Sequence, residues 1–203
     1  YQIFRYLYLE TGKELYKFLY TELAVSVENR LDEGRLKHGA WTDEMETHTR
    51  WQVNGIFLLL DFYEVTQDEC YLESAKDALD YLISISDSLS EGIWFLHDSL
   101  ESNYEPHEYY QENYFSKSFG KSKANTLTLN THLFTMAAIK RYNELSDNEF
   151  IQEYLEAKKA LYKVINHRPG SFFYKIILKA YDPGKRSSFQ LFMNSVIGRL
   201  VMY

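Results

Sequence analysis

Histidines and polar neighbours are concentrated in three short segments of this chain, which together hold five of its six histidines. The segments are HGAWTDEMETHTRW (38–51), GIWFLHD (92–98) with the following YEPHEYYQENY (104–114), and NTLTLNTH (125–132). An imidazole titrates near neutral pH and can accept or donate a proton. This clustering predicts proton transfer or directed hydrogen bonding where the three segments meet.

The second segment places an imidazole directly beside a carboxylate. Asp98 could orient or charge the His97 ring, as a general base requires, or the two could form a loop pair that satisfies local backbone groups. Two phenols follow in the same loop, at Tyr109 and Tyr110. The candidate catalytic residues are therefore His97, Asp98, Tyr109 and Tyr110.

Other polar and aromatic residues of the three segments suit ligand binding. The planar fork of Arg50 matches a carboxylate, although an ion pair with Glu46 at a helix start is an alternative. Each of two tryptophans lies in a G-x-W triplet, where it could stack on a ligand ring or pack a repeated turn. The candidate binding residues are Trp41, His48, Arg50, Trp94, Asn130 and His132.

Several function classes are disfavoured. The net charge of −7 argues against nucleic-acid binding. The chain has no glycine-rich phosphate loop, no G-x-S-x-G and no paired C-x-x-C, and no histidine pair has the spacing H-x3-H. We predict no cofactor and no metal, with a three-histidine site at His48, His97 and His132 as the alternative.

Acidic residues in the same segments allow a different chemistry. Two carboxyl groups on opposite sides of a cleft would suit a glycoside hydrolase. The alternative is a solvated acidic loop. The candidate acids are Asp43, Glu44, Glu46 and Asp98.

Helical patterns dominate the elements that must position these residues. Helices are predicted at about 13–30, 50–65, after 69, up to 145 and after 149. The motifs TQDE (66–69) and SDNE (146–149) match capping boxes. The fold class is therefore all-α.

A repeated unit organises the helices. The stretches NGIFLLLDFYEVTQDE…YLESAKDALDYL and THLFTMAAIKRYNELSDNE…YLEAKKALYKV share a mostly apolar helix, a tight turn and an amphipathic helix. They lie roughly eighty residues apart, and such spacing indicates stacked supersecondary units. We expect an α/α toroid, as an incomplete or open barrel of inner and outer helices, with an irregular helical bundle as the alternative.

The chain is expected to form a single domain over residues 1–203, with an aromatic and basic tail at 167–203 that could contact a membrane surface or a protein. Because it opens at Tyr1 and its first methionine is Met45, we expect a segment of a longer protein. The apolar run GIFLLL is too short to span a bilayer. The single cysteine, Cys70, fits a reducing compartment, so a soluble, cytoplasmic protein is slightly favoured.

The repeat resembles carbohydrate-active α/α-toroid proteins, above all the C-terminal domain of D-glucuronyl C5-epimerases. The likeness covers about residues 39–165 and is carried by RWQVNGIFLLLDFYEVTQDECYLESAKDAL (50–79) and LNTHLFTMAAIKRYNELSDNEF (129–150). It implies an anionic saccharide as the ligand. The tyrosine-rich stretch that follows in that family has no match in HRPGSFFYKIILKAYDPGKRSSFQ (167–190).

Three functions follow from these patterns. The first is a domain that binds or modifies a uronate-containing polysaccharide by removing the C5 proton, as an epimerase or a lyase does. The second is a glycoside hydrolase that uses two loop carboxylates. The third is a non-catalytic helical interaction domain.

Overall fold

A computed structural model describes residues 1–37, 46–102 and 119–166. Within these ranges the chain forms six α-helices and one antiparallel ribbon of two short strands, in which Asp87 pairs with Trp94 and Ser88 with Ile93. The described part of the chain is therefore all-α, as predicted. The helices are α1 Gln2–Thr11, α2 Glu14–Glu28, α3 Thr49–Thr66, α4 Glu69–Ser84, α5 Leu129–Leu145 and α6 Ile151–Asn166, and the strands are β1 Asp87–Ser88 and β2 Ile93–Trp94.

The helices form successive hairpins with different degrees of burial. Helix α3 is apolar almost all round and has ten buried residues, whereas the amphipathic α4 and α6 bury only four and two. Helix α4 packs on α3, α6 packs on α5, and α3 contacts α5. The main core lies between these helices and includes Ile56, Leu59, Leu79, Ile139 and Tyr142.

The beginning of the chain differs from the sequence prediction. One helix was expected from about residue 13, but a separate helix, α1, precedes it. Gly12 ends α1 in the left-handed conformation, with φ 63°, and its N–H donates to the Tyr8 carbonyl. A glycine in this conformation is a common helix stop, so the apolar pattern divides into two helices there.

Neither predicted capping box forms. Thr66 is the last residue of α3, and Asp68 instead caps α4 by accepting a hydrogen bond from the Cys70 N–H at 3.1 Å. In the second motif, Glu149 forms an ion pair with Lys76 and accepts a hydrogen bond from the Tyr142 hydroxyl at 3.1 Å. The Thr66 hydroxyl instead donates to the Phe62 carbonyl of its own helix at 2.8 Å, and Glu149 connects α4 with α5.

Two equivalent turns join successive hairpins. The sequence L-x-E-G occurs at 31–34, after α2, and at 89–92, after α4. A Cβ atom on Gly34 would lie 2.3 Å from the carbonyl oxygen of Asp77 in α4, and one on Gly92 would lie 2.0 Å from that of Glu156 in α6. Both residues have positive φ, so only glycine lets each turn rest on the amphipathic helix of the next hairpin.

A polar contact joins α3 and α5 far from the histidines. Arg141 of α5 donates to Asp61 of α3 at 2.7 Å and forms an ion pair with Glu64. Nearer the starts of these helices, the rings of Phe57 and Phe134 meet with centroids 5.3 Å apart. In the described part of the chain, none of the helices has the length and apolar character needed to cross a membrane.

Candidate functional site

Two of the three histidine-containing segments pair with each other through their backbones. His48 and Asp98 form an isolated antiparallel bridge, in which the Thr49 N–H donates to the His97 carbonyl at 3.1 Å and the Ser99 N–H donates to the Thr47 carbonyl at 3.0 Å. The rings of His48 and His97 consequently meet edge to face, with centroids 4.4 Å apart. The chain before α3 and the chain after β2 thus bring two imidazoles into contact.

The third segment reaches the same place through the first turn of α5. The hydroxyl oxygen of Thr131 lies 3.4 Å from Nδ1 of His97. Asn130, the preceding residue, is exposed at the surface. The starts of α3 and α5 and the loop after β2 therefore meet at one end of the hairpin stack.

Arg50 adds a positive charge to this end. Its side chain is exposed, and none of the ion pairs between described residues involves it. Glu46, the alternative partner considered from sequence, is only 1% exposed. An exposed guanidinium group is free to hold an anionic ligand in bidentate fashion.

The electrostatics keep His97 neutral. Burial lowers the pKa of His97, Asp98 raises it, and the charge of Arg50 lowers it again. The net direction is downward from the ordinary value of about 6.5. At neutral pH the half-buried ring is therefore an unprotonated acceptor beside a cation.

Asp98, the other member of the predicted pair, is 3% exposed. Its Oδ1 accepts hydrogen bonds from the N–H groups of Leu100 at 2.9 Å and Glu101 at 3.3 Å. Asp98 thus caps the 3-10 turn Ser99–Ser102. This capping of local backbone groups is what the loop-pair alternative for His97 and Asp98 predicts.

Glu101 was missed by the sequence analysis. It is 1% exposed, and its carboxyl group accepts hydrogen bonds from the His97 N–H at 2.8 Å and the Thr126 hydroxyl at 2.5 Å. Burial raises the pKa of Glu101 to about 7, with a further increase from Asp98, while the hydrogen bonds from Thr126 and His97 lower it. The spacing D-x-x-E from Asp98 was a signal for this turn.

Trp94 and His132 pack against each other in the interior. Both are 0% exposed, and their rings stack with centroids 3.9 Å apart and an interplanar angle of 3°. His132 Nδ1 accepts from the Phe95 N–H at 3.2 Å, and Nε2 lies 3.1 Å from the Ala157 carbonyl. Burial lowers the pKa of His132 to about 4. Because both side chains are buried, Trp94 and His132 are better explained as residues that pack the interior than as the ligand-binding residues predicted from the sequence.

A cavity of about 300 Å³ adjoins the loop through Leu96 and Glu101. Its wall includes Lys121, which is 5% exposed and donates to the carbonyl groups of Ser122 at 2.8 Å and Asn125 at 2.6 Å. Burial lowers the pKa of Lys121. The buried cation thus holds together the loop that leads to α5.

Some predicted residues lie outside the described ranges: Trp41, Asp43, Glu44, Tyr109 and Tyr110. A second tryptophan of the first segment, Trp51, lies in the first turn of α3 with 61% of its surface exposed. The sequence analysis assigned it no binding role, although it lies directly beside Arg50 in the sequence. Among the described residues, no three His, Cys, Asp or Glu side chains are grouped so that they could hold a metal ion.

These features define a protein of stacked helical hairpins with two contacting histidines and an exposed arginine at one end. The family model described as D-glucuronyl C5-epimerase C-terminus matches residues 21–200, and the chain belongs to this family. The resemblance noted from the sequence is thereby confirmed. No match was found among curated proteins or among solved structures.

Proposed function

We propose that this chain modifies a uronate-containing saccharide by removing the proton at C5, as an epimerase or a lyase does, at the end of the hairpins where α3 and α5 begin. The contact between His48 and His97, with centroids 4.4 Å apart beside Arg50, is the observation that carries the proposal. Membership of the D-glucuronyl C5-epimerase C-terminus family supports a saccharide as the substrate.

A toroid-like arrangement would place this end of the hairpins around a cleft. The proposal assigns α3 and α5 to the inner layer and α4 and α6 to the outer layer, which fits the greater burial of α3 and the amphipathic character of α4 and α6. Hairpins that repeat the same glycine turn support this arrangement. The inner helices of such a ring begin at the cleft, where His48, Arg50 and Thr131 lie.

The proposed reaction divides its tasks among these groups. A C5 proton next to a carboxylate becomes more acidic when the carboxylate charge is neutralised, and Arg50 supplies a positive charge for this purpose. His97 is held neutral, and its Nδ1 contacts Thr131, so Nε2 is the nitrogen that would take up the proton. His48 Nδ1 accepts from the backbone N–H of Arg50 at 3.3 Å, so a neutral His48 carries its proton on Nε2.

Epimerisation also needs a proton donor on the opposite face of the sugar ring. Tyr109 and Tyr110 remain the predicted donors, and Trp41 and the exposed Trp51 are proposed as surfaces on which a sugar ring stacks. Asn130, exposed beside Thr131, would bind a hydroxyl group. If no second donor reaches the sugar, elimination to an unsaturated uronate is the expected outcome.

Hydrolysis is the weaker candidate. Of the four acids considered from sequence, Asp98 is engaged in capping and Glu46 is only 1% exposed. A general acid must reach the glycosidic oxygen of the substrate. A new reducing end without an unsaturated uronate among the products would nevertheless favour hydrolysis over the proposed reaction.

The test is hydrogen exchange at C5. The protein is incubated with a panel of uronate-containing oligosaccharides in deuterated water, and deuterium at C5 is measured by mass spectrometry and NMR. We expect incorporation with the unaltered protein, a decrease of about 100-fold or more with His97→Gln, and no decrease with the exposed control Glu91→Gln. Absence of both C5 exchange and unsaturated uronate products across the panel, despite measurable binding, would overturn the proposal.

A further inference from the structure

One buried carboxyl group connects the two chain segments that form the polar end of the hairpins. Oε2 of Glu101 accepts a hydrogen bond from the His97 N–H at 2.8 Å, and Oε1 accepts from the Thr126 hydroxyl at 2.5 Å and the Thr126 N–H at 3.3 Å. His97 belongs to the loop after β2, and Thr126 to the approach to α5. Glu101 therefore fixes each segment relative to the other.

The connection continues to the start of α5. The hydroxyl groups of Thr126 and Thr128 lie 2.7 Å apart, and Thr128 is the residue immediately before α5. Three residues later, Thr131 contacts His97 Nδ1. Glu101 thus holds the main chain of His97 and, through Thr126, the helix whose first turn meets the His97 ring.

We propose that Glu101 is a positioning residue, which orients the His97 imidazole against His48 and Thr131 without touching the substrate. Its consequence for catalysis rests on the proposed function, whereas its effect on the His97 ring does not. Glu101 is only 1% exposed and is therefore buried rather than at the surface. The conformation of His97 therefore depends on a buried carboxyl group.

The charges around Glu101 make this connection respond to pH. Burial is the largest cause that raises the pKa of Glu101, and Asp98 raises it further from the same turn. Burial lowers the pKa of Lys121, in the loop that leads to α5, and the charge of Glu101 in turn raises it. The charges that shift the pKa of His97 itself are those of Asp98 and Arg50. Because burial raises the pKa of Glu101 to about 7, its carboxyl group changes protonation near neutral pH. A protonated oxygen is a poorer acceptor, so the His97 N–H bond weakens as the pH falls.

Three substitutions separate the hydrogen bonds of Glu101 from its size. In Glu101→Gln the side-chain carbonyl can accept on one side only, and its NH2 group faces a donor on the other. Thr126→Val removes the hydroxyl donor at nearly constant shape, and Thr126→Ser restores a hydroxyl group. Glu91→Gln is the matched control, because Glu91 is exposed and forms an ion pair with Lys163.

The readout is NMR of the whole chain without substrate. In the unaltered protein, the His97 amide resonance should titrate with a midpoint near 7, and the His48 and His97 rings should show cross-relaxation. In Glu101→Gln the titration of the His97 amide near pH 7 should vanish. Both Glu101→Gln and Thr126→Val should weaken the contact between the two rings and shift the titration of the His97 ring. Thr126→Ser and Glu91→Gln should resemble the unaltered protein.

Unchanged His97 amide and ring signals in both Glu101→Gln and Thr126→Val would overturn the inference. If Glu101→Gln does not fold, the comparison of Thr126→Val with Thr126→Ser alone decides whether the inference holds. Altered NMR signals in a protein that shows neither C5 exchange nor elimination would support the positioning role and reject only the proposed function. Where exchange is present, Glu101→Gln should lower kcat by about tenfold or more and displace the pH profile, with little change in KM.

Discussion

Gln52 and His132 occupy equivalent positions in successive hairpins and make the same pair of contacts. The Gln52 amide accepts from the Leu36 N–H at 2.9 Å and donates to the Ala78 carbonyl of α4 at 3.2 Å. His132 accepts from the Phe95 N–H and has Nε2 next to the Ala157 carbonyl of α6. In both hairpins, one polar side chain of the more buried helix thus connects the chain after the glycine turn to the amphipathic helix.

This equivalence predicts which substitutions His132 tolerates. His132→Gln should keep both contacts, as Gln52 does, whereas His132→Leu leaves the buried Phe95 N–H without its acceptor and removes the additional hydrogen bond to the Ala157 carbonyl. We expect His132→Leu to lower the free energy of unfolding by at least about 2 kcal/mol, and His132→Gln to lose less than half of that. Urea denaturation at pH 7.5 measures both. Equal losses would mean that ring packing on Trp94, and not hydrogen bonding, holds this position.

The role of His132 is an example of what could not be predicted from the sequence. The periodicity of apolar residues predicted helices α3 to α6 and the repeat that they form, because the spacing of apolar residues indicates which face of a helix is buried. The periodicity did not show that the Gln52 amide and the His132 imidazole play the same role. Two residues of different type can make the same hydrogen bonds at equivalent positions, and the spacing of apolar residues does not reveal this. The polar character of His132 therefore indicated a binding role when its partners were two backbone groups of the interior.

Contacts distant in sequence account for the other differences. The meeting of His48 with His97 depends on a backbone bridge between two irregular segments, and such a bridge has no periodic pattern. Clustering of histidines in loops did indicate which segments to compare, and two of the three contribute rings to one contact. Glu101 was missed because a glutamate in a loop is ordinarily solvated, although the D-x-x-E spacing from Asp98 indicated a capped turn.

The glycine turns yield a second prediction. Gly12 and Gly92 both have positive φ, at 63° and 89°, but a Cβ atom on Gly12 would meet nothing within 4 Å, whereas one on Gly92 would collide with the Glu156 carbonyl. Gly12→Ala should therefore cost about 1 kcal/mol from backbone conformation alone. Gly92→Ala should cost about 1–3 kcal/mol more, because the turn must move away from α6. Thermal unfolding followed by circular dichroism gives both values, and equal costs would show that the turn yields without strain.

A third prediction concerns Arg50 and the charge of the ligand. Loss of a charge-assisted hydrogen bond costs about 1.5–3 kcal/mol, which corresponds to a roughly tenfold or greater loss of affinity. Arg50→Gln should weaken binding of a uronate oligosaccharide by this factor. The control Arg30→Gln, which alters another exposed arginine, should not. Isothermal titration calorimetry measures the affinities.

Methyl esterification of the same oligosaccharide provides a further comparison for Arg50. The neutral ester should bind the unaltered protein about as weakly as the acid binds Arg50→Gln, and the substitution should have little additional effect on the ester. If Arg50→Gln weakens both ligands equally, the arginine acts on some other part of the sugar.

The fourth prediction concerns stability and pH. The pKa of Glu101 in the folded protein, about 7, lies above its ordinary value of 4.5. Folding therefore favours the protonated carboxyl, and this contribution is complete below pH 4.5 and is lost as the pH rises through 7. His132 acts in the opposite sense: its pKa falls to about 4 from 6.5, so its contribution is present above pH 6.5 and is lost as the pH falls through 4.

These opposing effects overlap between pH 4.5 and 6.5, so the unaltered protein alone cannot separate them. The difference in unfolding free energy between the unaltered protein and Glu101→Gln removes the His132 contribution, which both share. That difference should shift by up to about 3 kcal/mol in favour of the glutamine variant between pH 4.5 and pH 8. Urea denaturation at intervals of half a pH unit measures it, with Glu91→Gln as the control. A difference independent of pH would mean that Glu101 titrates in the folded protein as it does in the unfolded chain.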